Sequence, residues 1–130
     1  MNRGDPRGDL RGGLQGGRRG DLRGDLRGDL GALGESLVAR FLVRRGCHIV
    51  ARNLVVPNGE LDLVVLDGRQ RVAVEVRSRW GEDPLVAFDD SKLERVRRSA
   101  RAAMPRCSRI DLVTVRFGRD GVDIRWLPDR

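Results

Sequence analysis

Two neighbouring apolar runs, each carrying one acid, constrain this chain more than any other feature. Leu61–Leu66 and Arg71–Ser78 flank Asp67-Gly68, and Asp-Gly between such runs signals a β-hairpin. Asp62 lies in the first run. In the second, Val72, Val74 and Val76 alternate with Ala73, Glu75 and Arg77. A carboxylate in an apolar strand is costly to bury unless it is paired or bound to a metal. A loop made by Gly68 and Arg69, or by Asp67–Gln70, sets Asp62 opposite Glu75 and Glu60 opposite Arg77. Facing side chains in a hairpin have Cβ atoms about 4.5–5.5 Å apart. Two carboxylates at that distance repel, and one holds a proton unless a cation lies between them. Mg²⁺ or Mn²⁺ suits such an all-oxygen site. A slip of one residue would send the two acids to opposite faces. The alternative is a half-exposed sheet face on which Glu60, Asp62, Glu75 and Arg77 form ordinary cross-strand ion pairs.

The remaining elements follow from periodicity and punctuation. Leu33, Leu37, Val38, Phe41 and Leu42 recur at helical spacing, and Gly46 after Arg44-Arg45 ends that helix. Cys47–Asn53 reads as a strand and Val55–Gly59 as a turn. A second helix starts at Asp90 or Ser91, either of which can cap it. Leu93, Val96, Ala100 and Ala103 form its apolar stripe, with Pro105 beyond its end. Ile110–Phe117 and Val122–Leu127 are strands joined by the turn Gly118–Gly121. The order α-β-β-β-α-β-β predicts an α/β fold with a mixed sheet flanked by helices.

Residues 1–30 differ in kind. Arg-Gly-Asp-Leu occurs at Arg7–Leu10, Arg19–Leu22, Arg23–Leu26 and Arg27–Leu30. A glycine in every turn costs about 1 kcal/mol each relative to alanine, so this stretch reads as a disordered tail. Residues 31–130 are then the folded domain. The chain of 130 residues fits one domain. It shows no apolar run of about 20 residues that could span a bilayer and no signal-like start, which predicts a cytoplasmic protein with no membrane partner. Cys47 and Cys107 lack zinc spacing. The net charge of +7 favours a polyanionic partner. Among 26 Lys and Arg, all but Lys92 are arginine. Such a bias points to pressure on the coding sequence, so single arginines carry little information.

Several motifs follow one another in a fixed order. They are Gly34-Glu35, Ala51-Arg52-Asn53, Gly59-Glu60-Leu61-Asp62-Leu63, Val74-Glu75-Val76-Arg77-Ser78-Arg79, Lys92 and Arg109-Ile110-Asp111. Together they resemble the YraN-like family of uncharacterised bacterial proteins. That family is grouped by fold with Holliday junction resolvases and other PD-(D/E)xK nucleases. The resemblance covers roughly Leu30 to Leu127. It implies a restriction-endonuclease-like core and a metal held by Asp62 and Glu75. Glu35 would be the helix glutamate that completes the metal site, directly or through water. Arg77 stands where the motif has lysine, and Lys92 matches a basic helix position. By analogy it also implies a homodimer.

Arg77 departs from the motif. Arginine grips phosphate well but stays protonated at any usable pH, so it is not equivalent to lysine in water activation. Either the metal alone activates water, or Lys92 reaches the site, or the site binds without cutting. The second helix and its exit supply Lys92, Arg95, Arg97, Arg98, Arg101, Arg106 and Arg109. Of these, Lys92, Arg95 and Arg98 are the candidate nucleic-acid contacts, with DNA the expected partner. Trp80 reads as a loop-anchoring core residue or, second, as a base-stacking ring. Three functions follow: a metal-dependent nuclease, with Glu35, Asp62, Glu75 and Arg77 as its catalytic group; a non-catalytic nucleic-acid-binding module; or an accessory domain for a protein partner.

Overall fold

A computed structural model describes residues 22–130. Residues 1–21, where the expected tail begins, lie outside the described residues. The elements run α1 (Leu22–Arg44), β1 (His48–Val56), β2 (Gly59–Asp67), β3 (Gln70–Trp80), a short 3-10 helix (Pro84–Ala87), α2 (Asp90–Ala102), β4 (Arg109–Gly118) and β5 (Gly121–Leu127). This is the α/β order read from the sequence.

The sheet order is β1-β2-β3-β4-β5, and only β3 and β4 are parallel. The connections explain this. Two-residue turns at Pro57-Asn58, Gly68-Arg69 and Arg119-Asp120 join antiparallel neighbours. A parallel pair instead needs a crossover, which here contains α2. Gly68 takes φ +63°, a conformation that costs glycine little.

One helix covers each face of the sheet. Leu37, Val38 and Leu42 of α1 pack on Leu63, Val65, Val72, Val74, Val113, Val115 and Phe117. Val96, Ala100 and Ala103, on and just after α2, pack on Val56, Leu61, Val64 and Ala73. Burying each large aliphatic side chain stabilises the fold by about 1.5–3 kcal/mol.

Three boundaries differ from expectation. The first helix starts at Leu22, so Leu22–Leu30 is helical although it was assigned to the tail. The leucine period of the repeat runs on into Leu33 and Leu37, and Leu30 and Leu33 both pack against the core. Once a helix is nucleated by packing, further turns add at little cost. The cap of α2 is Asp89, whose carboxylate accepts from Lys92 N–H at 3.0 Å, and not Asp90 or Ser91. Strand β1 reaches Val56, which shortens the Val55–Gly59 turn to two residues.

Candidate active site

The site begins at an interruption in the sheet. Strands β2 and β3 pair from Asp67↔Gln70 to Leu63↔Val74. The next step in that register is Asp62 opposite Glu75, and there the pairing stops. Asp62 Oδ2 instead accepts a hydrogen bond from the Val76 N–H at 2.8 Å. The carboxylate thus takes the role of a strand partner. Strand β2 also turns over at this residue, since Leu61 packs in the core beneath α2 and Leu63 in the core beneath α1. On a regular strand, residues two apart share a face.

Asp62 and Glu75 are close enough that each alters the titration of the other. Burial is the main reason that both carboxyl groups titrate high. Glu75 is pushed up to about 7 by burial and then by the Asp62 charge, against the pull of Arg77. Asp62 is also raised by burial, while the Val76 N–H and its neighbour Glu75 hold it back. Burial and then the neighbouring Asp62 charge thus favour the protonated form of Glu75.

Arg77 lies beside this pair. Its Nη2 is 2.8 Å from Glu75 Oε2, with the two side chains 36% and 12% exposed. The guanidinium carbon lies 5.2 Å from the centroid of the Phe88 ring, within cation–π range. Its Nε is buried without a hydrogen-bond partner. The expected Glu60–Arg77 facing pair does not form. The β2–β3 ladder has ended before Glu60, which pairs with Val55 of β1 instead.

Glu35 reaches the acids from α1. Burial raises its pKa first, and the charges of Asp62 and Glu60 raise it further, while Arg52 opposes them. Its approach depends on Gly34. A Cβ at that position would overlap Ser78 Oγ and stand 3.2 Å from Ser78 Cβ. An added side chain would force the Ser78 hydroxyl to rotate away, so glycine suits the close approach of α1 to β3.

Asn53 belongs to the same group, although its residue type alone gave no sign of it. It lies between the pairs Arg52↔Leu63 and Leu54↔Leu61 of β1 and β2, opposite Asp62. Its φ of +50° falls in the left-handed region, which asparagine enters more readily than most residues. With its amide nitrogen turned inward, Asn53 donates to Glu35 Oε1 and Glu60 Oε2, each at 3.3 Å. An asparagine where the apolar pattern of a strand fails was the available signal.

The structure therefore gathers Glu35, Asp62, Glu75 and Arg77. Among the described residues, no three His, Cys, Asp or Glu side chains form a ready metal cage. The acid pair nevertheless has suitable chemistry for a hard cation. Mg²⁺ commonly takes one or two carboxylates and fills its shell with water and phosphate.

The Lys92 ammonium bonds the Ala87 carbonyl and ties the 3-10 helix to α2, next to Phe88, whose ring faces Arg77. Arg95 and Arg98 are exposed on α2. Arg97 and Arg101 lean on Glu94 at 3.8 and 3.4 Å. Arg109, counted from sequence with the basic helix exit, is committed elsewhere. It makes 2.8 Å contacts to both Asp67 and Asp111. Asp111, 1% exposed, also accepts from Trp126 Nε1 and from the Asp129 N–H. The Arg109-Ile110-Asp111 motif is thus an anchor between β2, β4 and β5. Trp80 is 46% exposed at the end of β3, so it is not a buried loop anchor.

Residues 34–115 match the model of the uncharacterised protein family UPF0102. A UPF0102 protein of Pelotomaculum thermopropionicum is 40% identical over 101 residues, which cover 71% of this chain and 84% of the relative. One from Solibacter usitatus is 41% identical over 92 residues, covering 67% of this chain and 69% of the relative. One from Renibacterium salmoninarum is 49% identical over 72 residues, covering 52% and 60%. No helix among the described residues is long and apolar enough to cross a membrane.

Proposed function

We propose that this chain, which belongs to the uncharacterised protein family UPF0102, is a divalent-metal-dependent phosphodiesterase acting on nucleic acid, with DNA as the first substrate to test. The reading places the α/β core in the restriction-endonuclease-like group that the sequence motifs resemble. One observation carries it: the part-buried carboxyl groups of Asp62 and Glu75 stand at the point where the β2–β3 ladder stops, with Asp62 Oδ2 taking the Val76 N–H. A purely structural acid pair gains nothing from that arrangement, because like charges in a half-buried site destabilise the fold.

Asp62 and Glu75 would hold Mg²⁺ or Mn²⁺ in place of the Glu75 proton. Bound there, the ion would lower the pKa of water and offset charge on the scissile phosphate. Glu35 closes the helix side of the site, and Asn53 keeps its carboxylate from swinging away. Arg77 supplies the positive charge. Turning its guanidinium from Glu75 toward a phosphate would break no Nε hydrogen bond, because that nitrogen has none. A phosphate held this way would be gripped in two places, which favours orientation over proton transfer. The exposed Arg95 and Arg98 of α2 offer further phosphate contacts.

One observation favours a second reading, a binding module that no longer cuts. Arg77 Nη2 lies 2.8 Å from Glu75 Oε2, so its charge is already paired with one of the acids that would hold a metal.

Cleavage of end-labelled branched, duplex and single-stranded DNA with Mg²⁺ or Mn²⁺ separates the readings. The nuclease reading expects cutting by the native chain that disappears in Asp62→Ala. Binding without cutting, with activity appearing in Arg77→Lys, supports the module. Neither cutting nor binding removes both and leaves a protein partner.

A further inference from the structure

We infer that the groove between the end of β3 and the β4–β5 turn is a pocket for one unpaired nucleobase, with Trp80 as its stacking surface. This rests on the nucleic-acid function proposed above and narrows its substrate class to strands that carry an unpaired nucleotide.

The groove is open to solvent and offers about 430 Å³, and its lining includes Trp80, Arg116, Arg119, Asp120 and Asp123. That volume lies within the roughly 300–1,000 Å³ of typical small-molecule sites. Trp80 is 46% exposed. It is not loose, because it pairs with Phe117 in the parallel ladder and the Gly81 N–H donates to the Phe117 carbonyl at 2.8 Å. The corner holds a large apolar ring open to water, an arrangement that gains from a flat partner. Gly118 and Gly121 border the groove and add no side chain to fill it.

Charge decides which flat partner fits. The two arginines and two aspartates of the lining cancel, so the groove offers no net attraction for a run of phosphates. An uncharged base loses nothing by this. Its faces stack on an indole, and its edge offers donors to the aspartates and acceptors to the arginines. The basic face of α2 lies on another element, whose acids are Asp90 in the first turn and Glu94. The two surfaces therefore divide the work, with phosphates on α2 and a base at Trp80. Along β3, Trp80 follows Glu75 by five residues, or about 17 Å of extended strand, and the odd spacing sets its ring on the α1 face with Val76 and Ser78, opposite the face that carries Glu75. A strand lying on the acids would reach the groove only by passing around the end of β3.

Trp80 and Trp126 are the two tryptophans of the chain, and Trp126 is held against Asp111 and Phe41. The full chain would be titrated with octathymidylate and with a blunt duplex, followed by tryptophan fluorescence and by anisotropy of labelled probes. Octathymidylate is expected to quench the native emission, and the quench should vanish in Trp80→Phe while binding persists. Trp80→Ala should weaken octathymidylate about tenfold, in line with the loss of one stacked base, and leave the blunt duplex within twofold. Duplex binding without any octathymidylate quench overturns this inference alone, as does an equal loss on both probes. Binding of neither probe by the native chain would overturn the nucleic-acid function and this inference with it.

Discussion

Asp62 accepts a hydrogen bond from the Val76 N–H at 2.8 Å, and that bond replaces the next rung of the β2–β3 ladder. A side chain doing the work of a backbone carbonyl explains how an acid sits in an apolar strand. It also leaves Asp62 close enough to Glu75 for its charge to raise the Glu75 pKa. Asp62→Asn keeps an oxygen for Val76, so the fold should survive with a loss below about 1.5 kcal/mol. The charge that raises Glu75 would be gone. NMR titration of the glutamate carboxyl groups should show Glu75 moving down from about 7, and metal binding should be lost.

Stability should fall as pH rises through this site. Glu75 carries a folded-state pKa of about 7 against an ordinary 4.5. Between those values the folded chain keeps a proton that the unfolded chain has released. The stabilising contribution is full below about 4.5 and is lost as pH rises through about 7. The loss should be on the order of 2 kcal/mol. Thermal melting at pH 5 and pH 8 measures it. Glu75→Gln should flatten the profile, and millimolar Mg²⁺ should restore stability at pH 8 more than at pH 5.

Gly34→Ala should be felt beyond its size. The added methyl would overlap Ser78 Oγ, and Ser78 Cβ stands only 3.2 Å away. Overpacking of this kind costs about 1–3 kcal/mol, and it would push Glu35 outward with its helix. Urea denaturation should show the loss, and Ser78→Ala in the same chain should recover about half of it by removing the Oγ.

Arg109→Ala should damage the fold and not the nucleic-acid surface. It would strip Asp111, 1% exposed, of its countercharge and release Asp67. Breaking a buried pair from one side costs about 3–5 kcal/mol, here toward the lower end because Trp126 and the Asp129 N–H still donate to Asp111. Chemical denaturation reads this directly.

Arg95→Ala with Arg98→Ala should do the reverse. Both side chains are exposed, so melting should move little. The slope of log affinity against log salt on duplex DNA should fall by about 0.9 for each lost phosphate contact. An unchanged slope would remove α2 from the interface.

The sequence alone determined what local rules can determine. Apolar period two placed β2 and β3, Asp67-Gly68 set their register from Asp67↔Gln70 to Leu63↔Val74, and helical spacing placed both helices. Asp62 and Glu75 were legible as a pair because a single hairpin joins them, so few residues separate cause from effect. Their neighbours were decided only in three dimensions. Lys92 bonds the Ala87 carbonyl because the 3-10 helix packs beside it, and Arg109 serves Asp111 because β5 brings Trp126 there. Asn53 joins the acids through a positive φ that asparagine permits, but which partners it then meets depends on α1 and β2 packing there. Trp80 stays exposed because its corner is pinned to Phe117 on a strand more than thirty residues away in the chain. Long side chains find partners across the fold, and their choice depends on which elements pack together, which no window of sequence contains.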